Sequence, residues 1–456
     1  MRIAVIGTGY VGLVSAVGFA HLAGHEVICV DTDRELVDRI NHGEPVLHES
    51  GLPELLREVI AAKKLRATTD YAEALANVEL VLVCVGTPYL PNGAIDLCYV
   101  ESAAKSIGAE LVRSPNYVVV AVKSTVVPGT TEGLVLPLIE LASGLRAGQG
   151  FGLAMTPEFL REGVALEDFL HPDRLVLGAY DDRSYSALEQ LYAAHQVPKQ
   201  RVNLRTAELT KYVANAYLAL HISFANEIAL LAERLGSIDV REVLEGVYLD
   251  KRHAPEIDGQ RVQPQVLNYF VPNCGFGGSC LPKDVMALTH KSRELGFPPP
   301  LLDGITVINR KMPQHLVERV SAKLGGLRGV TVAVLGLAFK PGTDDVRESP
   351  ALPIIQALVA RGAYVHAIDP LAGAILNFKA AADNPERVEY FTSLADGLTG
   401  AAAALLVTPW PEFDVPAKDY AHALAGGALF FDGRCRRDPA EFTAAGLIYD
   451  GIGYAK

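Results

Sequence analysis

The chain has 456 residues, of which half are hydrophobic and 21% are charged, and its net charge is −12. It is too long for one hydrophobic core and too apolar for a disordered chain, so two or three folded domains are expected. The acidic balance, without basic stripes, argues against a nucleic-acid partner. A net negative charge does not exclude small anionic ligands, because local lysines and helix N-termini can bind such ligands.

The cysteines and the apolar runs indicate the compartment. The six cysteines show no CxxC spacing, so neither a metal site nor a redox pair is predicted. No apolar run approaches the ~20 residues of a membrane helix, and residues 1–7 lead into a strand and turn without a signal-peptide pattern. We therefore expect a cytoplasmic enzyme with reduced thiols and no membrane partner.

Residues 1 to about 200 alternate short β-rich runs with helical patterns, which is typical of a doubly wound parallel sheet. Strands are predicted at residues 2–6, 26–30, 80–85, 117–122 and 175–177.

The first strand leads into the glycine fingerprint GTGYVG, and a helix of small residues is predicted at 13–23. Such glycines allow a tight turn, a close backbone approach to a pyrophosphate, and close packing of helix on strand. Asp31, at the end of the second strand, is expected to accept the ribose hydroxyls and would repel a 2′-phosphate, so NAD is favoured over NADP. The cofactor-binding residues predicted in the fingerprint are Gly7, Gly9, Tyr10, Val11 and Gly12.

Polar side chains follow other strands of this half. The runs VGTP and KSTV end two strands at the edge where parallel sheets bind ligands, so Thr87 and Thr125 are predicted cofactor or water contacts. The run TPEFLRE carries Glu158 and Glu162, and either carboxylate could activate the water that hydrolyses a thioester. Paired acids of this kind are also common on ordinary surfaces.

Residues 206–235 contain no glycine or proline and carry apolar residues at helical spacing, so a helix about 45 Å long is predicted there. Lys211 and Asn215 are four residues apart and share one face of this helix. An ammonium and a carboxamide side by side can stabilise the oxyanion of a tetrahedral intermediate, although a solvated Lys/Asn pair is the ordinary alternative.

Cys280 lies in the run GFGGSCLPKD. A nicotinamide enzyme needs no thiol to remove one hydride, but it does need one to hold an aldehyde covalently while a second hydride departs. Lys283 could lower the pKa of the thiol, and Asp284 lies beside it. The combination predicts a four-electron oxidation of an alcohol to an acid, whereas a lone cysteine is often a buried spectator.

From residue 329 the strand–helix rhythm restarts, with strands predicted at 331–335, 364–368, 402–407 and 428–431. The fold class is therefore α/β, with two Rossmann-like doubly wound domains joined by a long central helix and a helical segment. The predicted boundaries are 1–203 for the NAD-binding domain, 204–310 for the helical domain and 311–456 for the second Rossmann-like domain.

Together these motifs resemble the nucleotide-sugar dehydrogenase family, and the match runs nearly end to end. It is carried by GTGYVG, VGTP, KSTVVPGTT, PEFLREG, HPDRLVLG, AELTKYVANAYLA, FANE, GFGGSCLPKD and GLAFKPGTDDVRESP. The resemblance implies NAD as cofactor, a nucleotide sugar as substrate, a homodimer formed through the central helical segment, and a thiohemiacetal and thioester on the cysteine.

The resemblance also implies roles for individual residues. Cys280 is the nucleophile, Lys211 and Asn215 hold the oxyanion, Thr125 and Asp284 organise the water, and Glu158 is the base. Further NAD positions are Val11, Asp31, Thr87, Glu162, Lys283 and Arg347. Nucleotide-sugar positions are Glu158, Phe159, Leu160, Arg161, Glu162, Lys211, Asn215, Tyr269, Phe270, Val271, Pro272, Asn273, Gly277 and Lys340.

Some positions depart from the family pattern. Leu36 replaces a basic residue that usually contacts adenosine, and Asn273 replaces a loop glycine. The arginine that the family sends to the partner subunit's sugar has two candidates here, Arg252 and Arg261. Cys435 stands where asparagine is common.

Three other functions compete with oxidation of UDP-glucose to UDP-glucuronate. GDP-mannose 6-dehydrogenases share SCLPKD and a longer preceding segment, but HPDRLVLG favours the UDP-glucose type. Ser279 argues against the branch that acts on N-acetylated sugars. A non-catalytic nucleotide-sugar sensor would not need Cys280. A two-electron hydroxy-acid dehydrogenase would leave the second nucleotide-binding half without a role.

Overall fold

The computed structural model describes residues 1–45, 49–382 and 386–456. The chain divides into two compact units, Met1–Ala214 and Asn215–Lys456. No helix in these described ranges is long and apolar enough to cross a membrane.

The first unit is built on a twisted sheet of eight strands in the order β3-β2-β1-β4-β5-β6-β7-β8. The strands are β1 (Arg2–Ile6), β2 (Glu26–Val30), β3 (Leu65–Thr68), β4 (Leu80–Val83), β5 (Val118–Val122), β6 (Phe151–Met155), β7 (Leu175–Ala179) and β8 (Lys199–Val202). The central strands are apolar and buried on both faces, as expected of a sheet that is covered by helices on both sides.

Every neighbouring pair in this sheet is parallel except β6 and β7, which run antiparallel. The predicted doubly wound α/β fold is confirmed. Two outer strands were not predicted because β3 is short and its apolar residues alternate with polar ones, while β8, Lys-Gln-Arg-Val, has only one apolar residue. The sequence pattern of an edge strand is weak, since only part of it packs on the core.

Nine α-helices begin in the described part of the first unit, and a π-helical turn, Thr131–Val135, leads into the sixth. They are α1 (Tyr10–Leu22), α2 (Arg34–Asn41), α3 (Leu52–Ala61), α4 (Tyr71–Leu75), α5 (Cys98–Leu111), α6 (Leu136–Ser143), α7 (Ala165–Leu170), α8 (Asp182–Leu191) and α9 (Leu204–Leu235). Helix α1 is buried from Gly12 to Ala20, and a Cβ on Gly18 would lie 2.2 Å from the ring of Phe169. The small residues of α1 therefore let it pack closely on its neighbours.

Helix α9 has 32 residues and spans about 48 Å, so the predicted long helix is confirmed. Large apolar side chains along α9 remain half-exposed in the single chain. They are Leu209, Val213, Tyr217, Phe224 and Leu231.

The second unit contains a six-stranded parallel sheet in the order β13-β12-β11-β14-β15-β16. Its strands are β11 (Thr331–Leu335), β12 (Tyr364–Ile368), β13 (Val388–Phe391), β14 (Ala403–Leu406), β15 (Leu429–Asp432) and β16 (Ile448–Gly451), while β9 (Glu256–Ile257) and β10 (Gln260–Arg261) form a separate hairpin. The helices are α10 (Val240–Tyr248), α11 (Leu281–Glu294), α12 (Pro300–Lys323), α13 (Ala351–Ala360), α14 (Ala372–Ala381), α15 (Leu394–Leu398), α16 (Ala417–Ala423) and α17 (Pro439–Ala444). The four strands predicted in this half are present.

Candidate active site

The glycine fingerprint forms a tight turn between β1 and α1. Gly7 has φ +92°, and a Cβ there would lie 2.9 Å from the Cys84 carbonyl oxygen. A Cβ on Gly12 would lie 1.9 Å from the carbonyl oxygen of Gly7, whereas a Cβ on Gly9 would meet nothing within 4 Å. Gly7 and Gly12 are therefore required by the fold, while Gly9 leaves open the space in front of the helix.

This space fits the pyrophosphate and ribose of NAD. Gly9 caps α1 without a side chain, so the first N–H groups of the helix face the open space and favour an anion. Asp31 directly follows β2, and its Oδ2 accepts hydrogen bonds from the N–H and the hydroxyl of Thr8, at 2.8 and 2.7 Å. Oδ1 of Asp31 accepts the Asp33 N–H at 3.2 Å, and the side chain is half-buried, which leaves it accessible to a ribose. Tyr10 and Val11 form the first turn of α1 and are also half-buried.

Thr87 and Thr125 follow β4 and β5 and are half-buried. Because β1, β4, β5 and β6 are adjacent and parallel, their following residues all lie at the same edge of the sheet. The hydroxyl of Ser124 donates to the Val85 carbonyl at 2.7 Å and joins the two segments that carry the threonines. Both threonines therefore lie at one edge of the sheet, and their contact with cofactor or water stays a prediction.

Glu158 and Lys211 form a buried ion pair, with 2.9 Å between Oε1 and Nζ and with side chains 6% and 4% exposed. Burial alone would raise the pKa of Glu158, but the Lys211 ammonium, the Leu160 N–H and the charge of Lys123 together hold that pKa below its usual value. Glu158 is therefore a carboxylate at neutral pH, and an ammonium lies directly against it.

The loop of residues 158–163 is tightly held. The Leu160 N–H donates to Glu158 Oε2 at 2.5 Å. The Arg161 N–H donates to Asp168 Oδ2 at 2.8 Å, and the Arg161 guanidinium also binds that carboxylate. The Phe159 ring lies 4.0 Å from the guanidinium of Arg174. Glu162 is half-buried in the same loop.

In the second unit, Cys280 is the N-cap residue of α11, and its side chain is exposed. Asp284, one turn on, is 1% exposed and accepts hydrogen bonds from Asn215 Nδ2 at 2.6 Å and from Lys283 Nζ at 2.7 Å. The Lys283 ammonium is thus bound to Asp284.

The glycine-rich loop before Cys280 packs against residues 347–349. A Cβ on Gly277 would lie 2.1 Å from the Glu348 carbonyl oxygen, and the Gly278 N–H donates to the Arg347 carbonyl at 2.9 Å. The exposed guanidinium of Arg347 binds Asp345. Lys340 is half-buried, with its Nζ 5.6 Å from the Phe339 ring. The structure therefore brings the predicted residues Gly277 and Arg347 into one cluster with the loop that leads to Cys280.

The predicted sugar-binding residues 269–273 follow a short 3₁₀ turn, Gln265–Tyr269. Tyr269, Phe270, Val271 and Asn273 are half-buried, and Pro272 is buried. The Phe270 ring stacks on Phe224 of α9, with ring centroids 5.6 Å apart.

The two candidate arginines are exposed and bound to neighbours in their own chain. Arg252 pairs with Asp250, and Arg261 of the β-hairpin donates to the Leu249 carbonyl at 2.5 Å. Within one chain, neither contact distinguishes which arginine reaches a sugar.

Two buried residues at this site were not predicted. Lys123 follows β5, is 4% exposed and donates to the Tyr192 hydroxyl at 3.2 Å. Its position at a strand end, two residues before Thr125, was the signal that could have identified it. Glu49 is 5% exposed and binds the Tyr10 hydroxyl at 2.5 Å, and no sequence pattern pointed to it.

Comparison with known proteins agrees with this geometry. Three models of the UDP-glucose/GDP-mannose dehydrogenase family match the chain: the NAD binding domain at residues 1–196, the central domain at 205–311 and the UDP binding domain at 333–439. The UDP-glucose 6-dehydrogenase AglM of Haloferax volcanii is 42% identical over 91% of this chain and 92% of its own length. A GDP-mannose 6-dehydrogenase of Pseudomonas syringae pv. syringae is 40% identical over 79% of each chain.

Among solved structures, a UDP-glucose dehydrogenase from Pyrobaculum islandicum has a TM-score of 0.87 and 40% identity, covering 99% of this chain and 98% of its own. The predicted cofactor, NAD, is confirmed by the family. The chain belongs to the UDP-glucose/GDP-mannose dehydrogenase family and is an NAD-dependent oxidoreductase.

Proposed function

We propose that the enzyme oxidises UDP-glucose at C6 to UDP-glucuronate and produces two NADH per sugar. The UDP-glucose assignment is supported by relatives of that activity, which match nearly the full chain at about 40% identity. The observation that carries the four-electron reaction is the exposed Cys280 at the N-terminus of α11, one turn from the buried Asp284. A two-electron reaction has no use for this thiol.

Cys280 attacks the C6 aldehyde that the first oxidation produces, and a C–S bond forms as the carbonyl oxygen gains a proton. The resulting thiohemiacetal is oxidised to a thioester, which water then cleaves to the uronate and the free thiol. NAD supplies the hydride acceptor for both oxidations when it is bound. Asn215, which is hydrogen-bonded to Asp284, contributes to holding the oxyanion, whereas Asp284 organises the water.

The ion pair of Lys211 and Glu158 supplies the remaining charges. Lys211 is a buried ammonium and stabilises negative charge on the substrate oxygen, because burial strengthens electrostatic interactions. Glu158, held ionised by Lys211, accepts a proton from the water that attacks the thioester, and Thr125 orients this water.

The other predicted residues keep the roles given by the resemblance. We propose that domain 1–203 holds NAD through Gly7, Gly9, Gly12 and Asp31. Further cofactor contacts are Tyr10, Val11, Thr87, Glu162, Lys283 and Arg347. The nucleotide sugar lies against residues 158–162, 269–273, Gly277 and Lys340, and contacts Arg252 or Arg261.

We also propose that the helical domain 204–310 forms a homodimer. The exposed apolar residues Val213, Tyr217, Phe224 and Leu231 of α9 support this, because water-exposed apolar side chains at helical spacing are covered when two chains associate. The third domain, 311–456, binds the nucleotide.

The test is the NADH yield with limiting sugar nucleotide. We expect two NADH per UDP-glucose and little or none with GDP-mannose, and the reverse preference would assign the GDP-mannose reaction. In Cys280→Ser, turnover should stop after partial oxidation, whereas Cys98→Ser, which changes an exposed cysteine elsewhere, should retain full activity. Normal turnover of Cys280→Ser would remove covalent catalysis from the proposal.

A further inference from the structure

The carboxylate of Glu49 is the centre of a hydrogen-bond cluster to which the proposed reaction assigns no role. Its Oε2 accepts the Tyr10 hydroxyl at 2.5 Å and the Gly163 N–H at 3.0 Å. The same N–H lies 2.9 Å from the Tyr10 hydroxyl oxygen, and Oε1 of Glu49 accepts the Leu166 N–H at 3.4 Å. Glu49 is 5% exposed, so among the described residues these donors replace the water that a carboxylate would otherwise bind.

The groups that Glu49 binds belong to two different parts of the candidate site. Tyr10 is the first residue of α1, directly after Gly9, where the pyrophosphate of NAD is expected. Gly163 closes the loop of residues 158–163, which carries Glu158, and has φ +83°, a conformation that favours glycine.

We propose that Glu49 is a positioning residue, which ties the loop of residues 158–163 to the first turn of α1 so that NAD binding and the placement of Glu158 are coupled. This inference rests on the proposed function for its effect on catalysis. The hydroxyl of Tyr10 suits the role because burial, together with Glu49, raises its pKa, so it stays protonated and donates. A single carboxylate thereby fixes one side chain of the cofactor turn and two backbone N–H groups near the loop.

Hydrogen exchange tests the coupling without substrate. In Glu49→Ala, the amides of residues 160–166 should exchange at least about 10-fold faster than in the wild type, because the acceptor is gone. NAD should slow exchange in this segment of the wild type but not of the variant. Glu54→Ala, which removes an exposed carboxylate from the first turn of α3, is the matched control and should behave as the wild type.

Tyr10→Phe is the second variant. It keeps the ring and removes only the hydroxyl, so it tests the cluster even if Glu49→Ala does not fold. Unchanged exchange of residues 160–166 in these variants, with or without NAD, would overturn the inference. Because this readout needs no sugar, it is independent of whether UDP-glucose is the substrate.

Kinetics separate positioning from simple stability. At a temperature where all variants are folded, Glu49→Ala should lower kcat/KM for UDP-glucose by about 10- to 100-fold, and Glu49→Gln should restore part of it. The effects of Glu49→Ala and Tyr10→Phe on kcat/KM should not multiply in the double variant, because both break the same cluster. Multiplying effects, or no rescue by glutamine, would contradict the coupling.

Discussion

Replacing Lys211 by methionine tests the buried ion pair directly. The change removes the ammonium and keeps an unbranched side chain, while Glu158 remains 6% exposed with its charge uncompensated. Loss of one partner of a buried pair costs about 3–5 kcal/mol. A domain of this size loses about 2–4 °C of melting temperature per kcal/mol, so we expect the first unit to melt about 6–20 °C lower at pH 7.

The pH dependence of this effect has a definite sign. In the wild type, the pKa of Glu158 is lowered, so the ion pair stabilises the fold at neutral pH. This contribution is lost as the pH falls below the pKa of a glutamate in the unfolded chain, about 4.3. Without Lys211, burial should raise the pKa of Glu158 above the unfolded value. The variant is then most destabilised at neutral pH, and its deficit shrinks as the pH falls.

Thermal unfolding followed by far-UV circular dichroism between pH 5 and 8 measures both effects. Lys105→Met is the control, because Lys105 pairs with Glu101 at 3.6 Å on the surface and should lose less than about 1 kcal/mol. The double variant Lys211→Met/Glu158→Gln should regain most of the lost stability, since neither charge of the buried pair remains. A single variant that melts within about 2 °C of the wild type, or a double variant no better than the single, would refute the reasoning.

Two glycines of the fingerprint should respond differently to alanine. Gly9→Ala should keep the wild-type melting temperature but raise the KM for NAD, because the added Cβ meets no protein atom within 4 Å. Gly12→Ala should lower the melting temperature itself, because its Cβ would lie 1.9 Å from a carbonyl oxygen. Gly277→Ala should lower kcat/KM at least about 100-fold. Its Cβ would lie 2.1 Å from the Glu348 carbonyl oxygen, so the loop before the Cys280 thiol must move. Wild-type kinetics of this variant would show that the loop tolerates displacement. Cys435 has φ +52°, in the left-handed region, which asparagine adopts more readily than other residues with a side chain. In thermal melts, Cys435→Asn should therefore stabilise the protein by up to about 1 kcal/mol, and Cys435→Val should destabilise it. An equal response to both would contradict this reasoning from the φ angle.

Helices and strands with a strong apolar pattern could be predicted from the sequence. The direction in which two strands pair could not, because it depends on residues far away in the chain. Strands β1 and β2 and helix α9 have strong apolar patterns and were found within about two residues. The antiparallel pairing of β6 and β7 was not predictable, because strand direction is set by how the connecting chain returns to the sheet and not by the residues of the strands.

The same limit applies to the site. Motif spacing identified Glu158 and Lys211, but not that they form a buried pair, because the two residues are far apart in sequence. Glu49 had no pattern at all, since its role comes only from the backbone N–H groups that the fold brings to it. The left-handed conformation of Cys435 explains why asparagine is common at that position, a point that spacing alone left open.

The two parallel sheets place an aspartate at the same point of each fold, but the two side chains have different surroundings. Asp31 follows β2 and stays half-buried, with one oxygen bound to Thr8. Asp369 follows β12 and is fully buried, and it accepts the N–H groups of Leu337, Ala338 and Leu371 and the indole N–H of Trp410.

Burial raises the pKa of Asp369, and because the residue is 0% exposed with donors on both oxygens, this carboxylate is out of reach of the hydroxyls of a ribose. The turn at Gly336 also differs from the fingerprint, because in the described segment 336–350 no helix begins, whereas α1 begins one residue after Gly9. The second sheet therefore lacks both the free carboxylate and the helix N-terminus that a dinucleotide requires. The difference between the two sheets thus lies in which aspartate the protein has already used for its own structure.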